Sequence, residues 1–172
     1  MKILTVLIFS LILSIPLSAQ EEPEFVRKGR ILVEAGSDIF GGFGGGGGTG
    51  SSVVFGGGGN TVTNISFDGG YFISENFALK ARFGILSGAG GGGTSTSFLA
   101  SGKYYINGRI PVELGAGFLT FGKGSGSAFL GNARVGYAIP LAKNINFEPS
   151  LGVLLTNGGA IGQFGLGFSL FL

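Results

Sequence analysis

The chain has 172 residues, enough for one domain, with 37 glycines, 17 phenylalanines and 4 tyrosines, and with no cysteine, histidine or tryptophan. The absence of cysteine excludes disulfides, thiolate metal sites and thiol nucleophiles, and the absence of histidine removes the commonest general base and metal ligand. Charged residues make up 12% of the chain and the formal net charge is only +2, so the sequence lacks the basic surface that nucleic-acid binding requires.

The first 19 residues have the pattern of a secretory signal peptide. Lys2 gives a positive start, residues 3–15 are mostly apolar, and the segment that ends at Ala19 supplies small residues for cleavage. The apolar run is too short for a membrane-spanning helix, which needs about 20 residues. We therefore predict a signal peptide over residues 1–19, a short polar leader over residues 20–28, and one domain over residues 29–172.

From residue 30 onward, apolar and polar residues alternate with a period of two in eight segments, which is typical of β-strands. In the first segment, for example, Ile31 and Val33 lie on one face and Glu34 lies on the other. Each segment has about 9–12 residues, which suits a tilted membrane strand of about 9–11 better than a soluble strand of about 5–6. The predicted strands cover residues 30–40, 61–72, 77–86, 97–105, 111–121, 128–139, 145–155 and 162–172.

The charged residues of these predicted strands all fall on the face opposite the large apolar residues. Glycines are also frequent on this polar face, and small residues suit the crowded interior of a narrow barrel. We therefore predict that the polar face points inward and carries a network of ion pairs. The predicted network comprises Arg30, Glu34, Asp38, Asp68, Lys80, Arg82, Lys103, Glu113, Arg134 and Glu148.

The connections alternate between short polar turns and mostly longer Gly-rich segments, as in outer-membrane barrels with short periplasmic turns and longer outer loops. The short turns cover residues 74–76, 107–109 and 141–144, and the Gly-rich connections cover residues 41–60, 87–96, 122–127 and 156–160. An even number of strands then places both termini on the periplasmic side. Aromatic residues near the short turns predict a girdle at the membrane interface, formed by Tyr71, Phe77, Tyr104, Tyr137 and Phe147.

Two places depart from the regular pattern. Pro149 lies in the seventh predicted strand, where a closed barrel has no free edge, so a local bulge or defect is expected. Residues 53–55 lie between two Gly tracts. We interpret them either as a contact point for a partner or as a continuation of the first hairpin above the membrane. The Gly tracts themselves are interpreted either as solvated flexible linkers or as surface loops that contact an unknown extracellular partner.

Residues 70–79 and 103–106 resemble hairpin and strand-end sequences of small outer-membrane β-barrels, the eight-stranded OmpA/OmpX-type, porin-like family. The last segment resembles the C-terminal strand that the barrel-assembly machinery reads in that family, although Phe171 stands one place before the terminal residue. The resemblance implies an all-β fold, an up-and-down antiparallel transmembrane barrel, with outer-membrane lipid and, during biogenesis, the assembly machinery as partners. The residues that carry the assembly pattern are Phe164, Leu166, Phe168, Leu170 and Leu172.

Three functions remain open at this point. The first is a monomeric, non-enzymatic structural or surface-interaction protein of a Gram-negative outer membrane, with no cofactor, metal, catalytic residue or nucleic-acid partner. The second is a narrow channel for small solutes, and the third is a secreted soluble barrel that binds an apolar ligand inside. An eight-stranded barrel is just wide enough for its own side chains to fill it, which favours the first function over the second.

Overall fold

The computed structural model describes residues 26–40, 51–55, 61–88, 94–122, 126–157 and 159–172. The predicted signal peptide, most of the predicted leader and most of the Gly-rich connections lie outside these residues. Across the described ranges, no helix is long and apolar enough to cross a membrane. The strands are β1 Ile31–Phe40, β2 Ser51–Phe55, β3 Thr61–Ser74, β4 Phe77–Gly88, β5 Ser95–Ile106, β6 Ile110–Thr120, β7 Ser127–Gly136, β8 Ile139–Ala142, β9 Ile145–Thr156 and β10 Gly159–Phe171.

The strands form one antiparallel sheet that closes on itself. β1 pairs with β10, and the sheet continues through β9, β7, β6, β5, β4 and β3. β3 then pairs with β1, from Ile31 opposite Tyr71 to Glu34 opposite Asp68, and this ladder closes the ring. The short strands β2 and β8 add to β3 and β9. The predicted all-β, eight-stranded antiparallel barrel is therefore confirmed, with strand boundaries within a few residues of the predicted ones.

The short turns all lie at one end of the barrel, called here the turn end. Asn76 and Asn107 have positive φ angles of 62° and 51°, and Gly108 follows at 64°, a conformation that Asn and Gly adopt most readily in tight hairpins. Ile31 and Leu172 exchange two backbone hydrogen bonds of 2.9 Å, so the start of β1 and the end of β10 meet at this same end. The opposite end, where the Gly-rich segments join the strands, is called the loop end.

Side chains alternate across the barrel wall, with most of the large apolar residues outside. In β5, positions that face the interior and positions that face outward alternate over all twelve residues. Phe67 and Leu114 are 71% and 65% exposed, whereas the charged residues Lys80 and Arg82 are 4% and 2% exposed. A soluble barrel that binds an apolar ligand requires the reverse arrangement, so the third function is not favoured by this structure.

The irregularity expected at Pro149 lies mainly in the partner strand. β7 ends at Gly136 and β8 begins at Ile139, whereas β9 runs past Pro149 without interruption. The pairing register is the same on both sides of this break. Pro149 accepts a 3.0 Å hydrogen bond from the Tyr137 N–H but has no N–H to donate in return. The defect is therefore one ladder hydrogen bond that proline cannot make.

β2 continues the first hairpin beyond the point where β1 leaves β3. Ser51 pairs with Ile65, and Phe55 pairs with Thr61. Of the two alternatives for residues 53–55, the structure thus contains the hairpin continuation.

Candidate functional site

Seven of the charged residues predicted for the interior meet in the middle of the barrel. Each lies on the inward face of its strand, so the alternation that places them on one face also directs them to one region. Their side chains form one connected network, called here the ion-pair layer. Its members are Glu34 of β1, Asp68 of β3, Lys80 and Arg82 of β4, Lys103 of β5, Glu113 of β6 and Glu148 of β9.

Glu34 joins the two halves of the ion-pair layer. Its carboxylate accepts hydrogen bonds from both Lys80 and Lys103, and its Oε1 also lies 3.1 Å from the donating hydroxyl of Ser169. Lys103 continues to Glu148, with 2.5 Å between Nζ and Oε2. A buried charge is tolerated when it is paired and hydrogen-bonded, and Glu34 meets both conditions.

The other half of the layer is centred on β4. Lys80 Nζ lies 2.6 Å from Glu113 Oε2 and 3.2 Å from Asp68 Oδ2. Arg82 donates to the same Asp68 oxygen from Nε at 3.1 Å and from Nη2 at 2.8 Å. The Asn132 side-chain amide donates to Glu113 Oε1 at 3.2 Å. Each carboxylate of this half therefore faces at least one cation.

The remaining three predicted charges are placed differently. Arg134 stands opposite Glu113 in the β6–β7 ladder, beside the layer. Arg30 precedes β1 at the turn end, where its carbonyl accepts a 2.9 Å hydrogen bond from the Phe72 N–H. The Asp38 backbone belongs to β1, but its side chain lies outside the described part of the structure.

An apolar cluster fills the interior below the ion-pair layer, at the turn end. The rings of Phe72, Tyr105 and Phe171 contact one another with centroid distances of 6.0–6.2 Å, and all three residues are fully buried. The Tyr105 hydroxyl donates to Glu148 Oε1 at 2.9 Å, which ties this cluster to the layer above it. We call the cluster the aromatic plug, and its members are Val26, Leu32, Phe72, Ala78, Tyr105, Ala138 and Phe171.

A second apolar cluster lies on the loop-end side of the ion-pair layer. Leu99, Leu119, Leu130 and Leu154 pack together and are at most 3% exposed. The interior is thus occupied in three successive levels, with leucines, ion pairs and aromatic residues. Neither apolar level is predicted from the sequence, although one signal is present: on strands that carry inward-facing charges, such as β5 with Leu99, Tyr105 and Lys103, these apolar residues share the parity of the charges.

The space that is left beside the ion-pair layer is small. A cavity of about 30 Å³ is lined by Glu34, Lys103, Glu113, Arg134 and Glu148, among others. A bound water needs about 10–15 Å³, whereas pockets for small-molecule ligands have about 300–1,000 Å³. This cavity therefore has room for water but not for an ordinary solute or cofactor. Among the described residues, no cluster of three or more possible metal ligands is present.

The aromatic residues predicted for the girdle lie at the turn end of the barrel. Tyr71 and Tyr104 face outward and are 50% and 48% exposed. Phe77 is opposite Tyr104 in the β4–β5 ladder, and the Phe147 ring packs against Phe168 with 5.4 Å between centroids. Tyr137 lies at the break between β7 and β8, where it is partly exposed.

The residues of the predicted assembly pattern occupy the outward positions of β10. Phe168 and Leu172 are exposed, and Phe164, Leu166 and Leu170 are half-buried. Phe171, which departs from the pattern by its position, points inward and belongs to the aromatic plug.

No protein-family model and no curated protein sequence matches this chain. Solved structures do match. The N-terminal β-barrel domain of Pseudomonas aeruginosa OprF is 15% identical over 84% of this chain and 98% of that domain, with a TM-score of 0.50. A de novo designed transmembrane β-barrel is 12% identical over 85% of this chain and 98% of its own, with a TM-score of 0.49.

At these identities the likeness concerns the fold alone. The chain has the fold of a small eight-stranded transmembrane β-barrel, with an apolar outer wall and an interior filled by ion pairs and apolar side chains.

Proposed function

We propose that the chain is a non-enzymatic outer-membrane β-barrel with a structural or surface-interaction role, closed to solutes and monomeric. One observation carries the proposal: most of the large apolar side chains face outward, and seven charged side chains lie together in the interior. In water this orientation exposes apolar surface and buries ions, whereas in a bilayer it matches both environments. Closure of the sheet also satisfies the backbone groups that lipid cannot.

The filled interior supports a closed barrel over the channel alternative. Leu32, Phe72, Tyr105 and Phe171 have no exposed surface at the turn end, and the ion-pair layer occupies the level above them. The four carboxylates and three cations of the layer are bonded to one another, which is typical of a structural network. The absence of histidine in the sequence and these mutual bonds support a non-enzymatic role.

The location and orientation follow from the same features. The signal-peptide pattern and the fold support export to the outer membrane of a Gram-negative cell. The short turns and the meeting of Ile31 with Leu172 support placing the turn end, and with it both ends of the barrel, on the periplasmic side. The surface-interaction role would then belong to the Gly-rich connections at the loop end, most of which lie outside the described residues.

Two measurements test the proposal. Membrane-extracted protein is run unheated and boiled on a denaturing gel, and the closed barrel is expected to migrate faster before boiling. Planar bilayers then test conduction, and the intact barrel is expected to show no discrete conductance steps. An unshifted band from protein in the aqueous fraction would overturn the membrane proposal, and reproducible single-channel steps would favour the channel instead.

A further inference from the structure

The positive charges outside the barrel interior gather at the turn end. Among the described residues, every lysine and arginine outside the interior belongs to this end, and together they are called here the basic rim. Glu75 is the one acidic side chain at the same end within the described ranges. The turn end is therefore strongly positive, whereas the charges of the ion-pair layer are bonded to one another. The members of the basic rim are Arg27, Lys28, Arg30, Arg109 and Lys143.

Three of these cations belong to residues 27–30, a segment that is fixed to the barrel. Val26, which precedes the segment, is buried in the aromatic plug, and its carbonyl accepts a 2.8 Å hydrogen bond from the Asn76 N–H. The Gly29 N–H donates to the Phe72 carbonyl at 2.9 Å. The segment is thus part of the folded wall, so its cations keep their places at the rim.

The other two cations belong to the short turns. The Arg109 carbonyl accepts a 2.7 Å hydrogen bond from the Ala138 N–H. Lys143 is exposed, and the carbonyl of the next residue, Asn144, accepts a 2.9 Å hydrogen bond from the Phe171 N–H. In the order of the sheet, the basic rim extends from the start of β1 past β10, β9 and β7 to the start of β6. It therefore borders a large part of the circumference of the outer wall.

The basic rim lies level with the tyrosines at the edge of the apolar outer wall. A Cβ added at Gly29 would lie 3.9 Å from the Tyr71 hydroxyl, so this hydroxyl is next to residues 28–30. Arg109 is hydrogen-bonded to the residue that follows Tyr137. Tyrosines at a membrane surface sit at the level of the lipid head groups. The cations of the rim therefore stand where the phosphates of the surrounding lipids lie.

We propose that the basic rim binds the head groups of anionic glycerophospholipids in preference to zwitterionic ones. The lysine and arginine side chains donate to the phosphate oxygens, and the acyl chains lie along the apolar outer wall. Lipid is the occupant that fits, because the rim follows the edge of that wall. The inference rests on the proposed membrane location and deepens it, since it names the lipid class and the end of the barrel that holds it.

The test compares two lipids with the barrel refolded in a nonionic detergent. Didecanoyl phosphatidylglycerol is the probe, and didecanoyl phosphatidylcholine, with the same chains and no net charge, is the matched lipid. Amide chemical shifts are followed by NMR during each titration. Each lysine or arginine near an anionic lipid surface strengthens binding about fivefold, so phosphatidylglycerol is expected to bind about tenfold or more tightly than phosphatidylcholine, with shifts centred on Gly29 and Asn144. Equal affinities, or shifts spread over the whole outer wall, would overturn the proposal.

The soluble head group separates a lipid surface from a site for free phosphate compounds. Glycerophosphoglycerol has the charge of phosphatidylglycerol but no acyl chains. It is expected to give no saturable shifts over the same range of concentrations. Saturation by this compound as tight as that by the lipid would overturn the proposal.

Variants of equal net charge test the place of binding. Lys28→Gln combined with Lys143→Gln removes two positive charges from the rim, where both lysines are exposed. Lys123→Glu makes the same change of net charge in the connection between β6 and β7, at the other end of the chain's wall. The double variant is expected to weaken phosphatidylglycerol binding about tenfold or more, and Lys123→Glu to leave it unchanged. Equal effects would mean that net charge alone attracts the lipid, and would overturn the proposal.

The shift on boiling is measured for every variant, and it does not depend on the charge of the lipid. A barrel that shifts on boiling but binds both lipids equally contradicts only the lipid preference. Protein that stays in the aqueous fraction without a shift contradicts the proposed membrane location itself.

Discussion

Glu34 and Lys103 form an ion pair across the barrel interior, although they lie on strands that are not neighbours in the sheet. Glu34 belongs to the first strand and Lys103 to β5, and the carboxylate of Glu34 also bonds Lys80 of β4. The contact therefore connects distant parts of the wall through the interior. Such a contact forms only when the barrel has closed, so we expect Glu34 to contribute to the stability of the closed state more than a single surface charge would.

Glu34→Gln is expected to destabilise the barrel strongly. The amide keeps the shape of the side chain but leaves Lys80 and Lys103 without their shared carboxylate. Removing one partner of a buried ion pair typically costs about 3–5 kcal/mol, and the loss is expected at the lower end of this range because Lys80 keeps Glu113 and Lys103 keeps Glu148. The measurement is the free energy of unfolding in lipid vesicles, from a denaturant titration followed by the shift of the band on boiling.

Glu75→Gln is the control for this prediction, because Glu75 is exposed in the turn between β3 and β4. It is expected to change the free energy of unfolding very little. Equal and small effects of Glu34→Gln and Glu75→Gln would show that the ion-pair layer does not stabilise the barrel.

Leu114→Arg tests which face of the wall meets lipid. Leu114 is 65% exposed near the middle of β6, and an exposed leucine of a soluble protein tolerates arginine. On the lipid face of a barrel, arginine near the bilayer midplane costs about 2–4 kcal/mol, falling to about 0–1 near the interface. Leu141→Arg is the matched variant, since Leu141 is 60% exposed but lies next to the turn at residues 143–144. Similar free energies of unfolding for the two variants in vesicles would contradict the proposal that the outer wall of the barrel meets lipid.

The fold and the middle level of the interior could be predicted because both depend on local alternation. A period of two fixes which side chains share a face, and the parity of Lys80 and Arg82 alone assigns the inner face of β4. Closure then brings residues that share this face from different strands to one place. Seven of the ten charges predicted for the interior lie in the ion-pair layer for this reason.

The apolar levels could not be predicted in the same way, because they depend on height within the barrel. Phe171 and Leu99 have the parity of the inner face but are apolar like the residues of the outer face. Parity and hydrophobicity therefore give opposite predictions for these two residues. Their positions depend on how far each strand is shifted relative to its neighbours, and that shift is fixed by long-range pairing. The placement of Arg30 below the layer has the same origin.

Gly117→Ala is expected to destabilise the barrel, whereas Gly167→Ala is not. A Cβ at Gly117 would lie 1.9 Å from the Phe98 carbonyl oxygen and 2.7 Å from the Leu99 Cα, both of the adjacent backbone. Overpacking of this kind costs about 1–3 kcal/mol, because β5 and β6 would have to separate. Gly167→Ala is the control, since its nearest atoms would be at an ordinary 3.7 Å. The free energy of unfolding is measured for both variants. Losses of equal size would show that the removal of glycine in general, and not the close contact at Gly117, causes the effect.

Pro149→Ala is expected to repair the break between β7 and β8. The new N–H would face Tyr137, whose own N–H already donates to the carbonyl of residue 149 at 3.0 Å. In an antiparallel ladder the two residues of a hydrogen-bonded pair exchange both bonds, so the second bond can form without a change of register. One added hydrogen bond contributes about 0.5–1.5 kcal/mol.

We expect Pro149→Ala to increase the free energy of unfolding slightly and to slow the hydrogen exchange of the Tyr137 amide. Pro140→Ala in the exposed strand β8 is the control and should leave the exchange of that amide unchanged. Unchanged exchange at Tyr137 in Pro149→Ala would show that the break is caused by something other than the missing N–H.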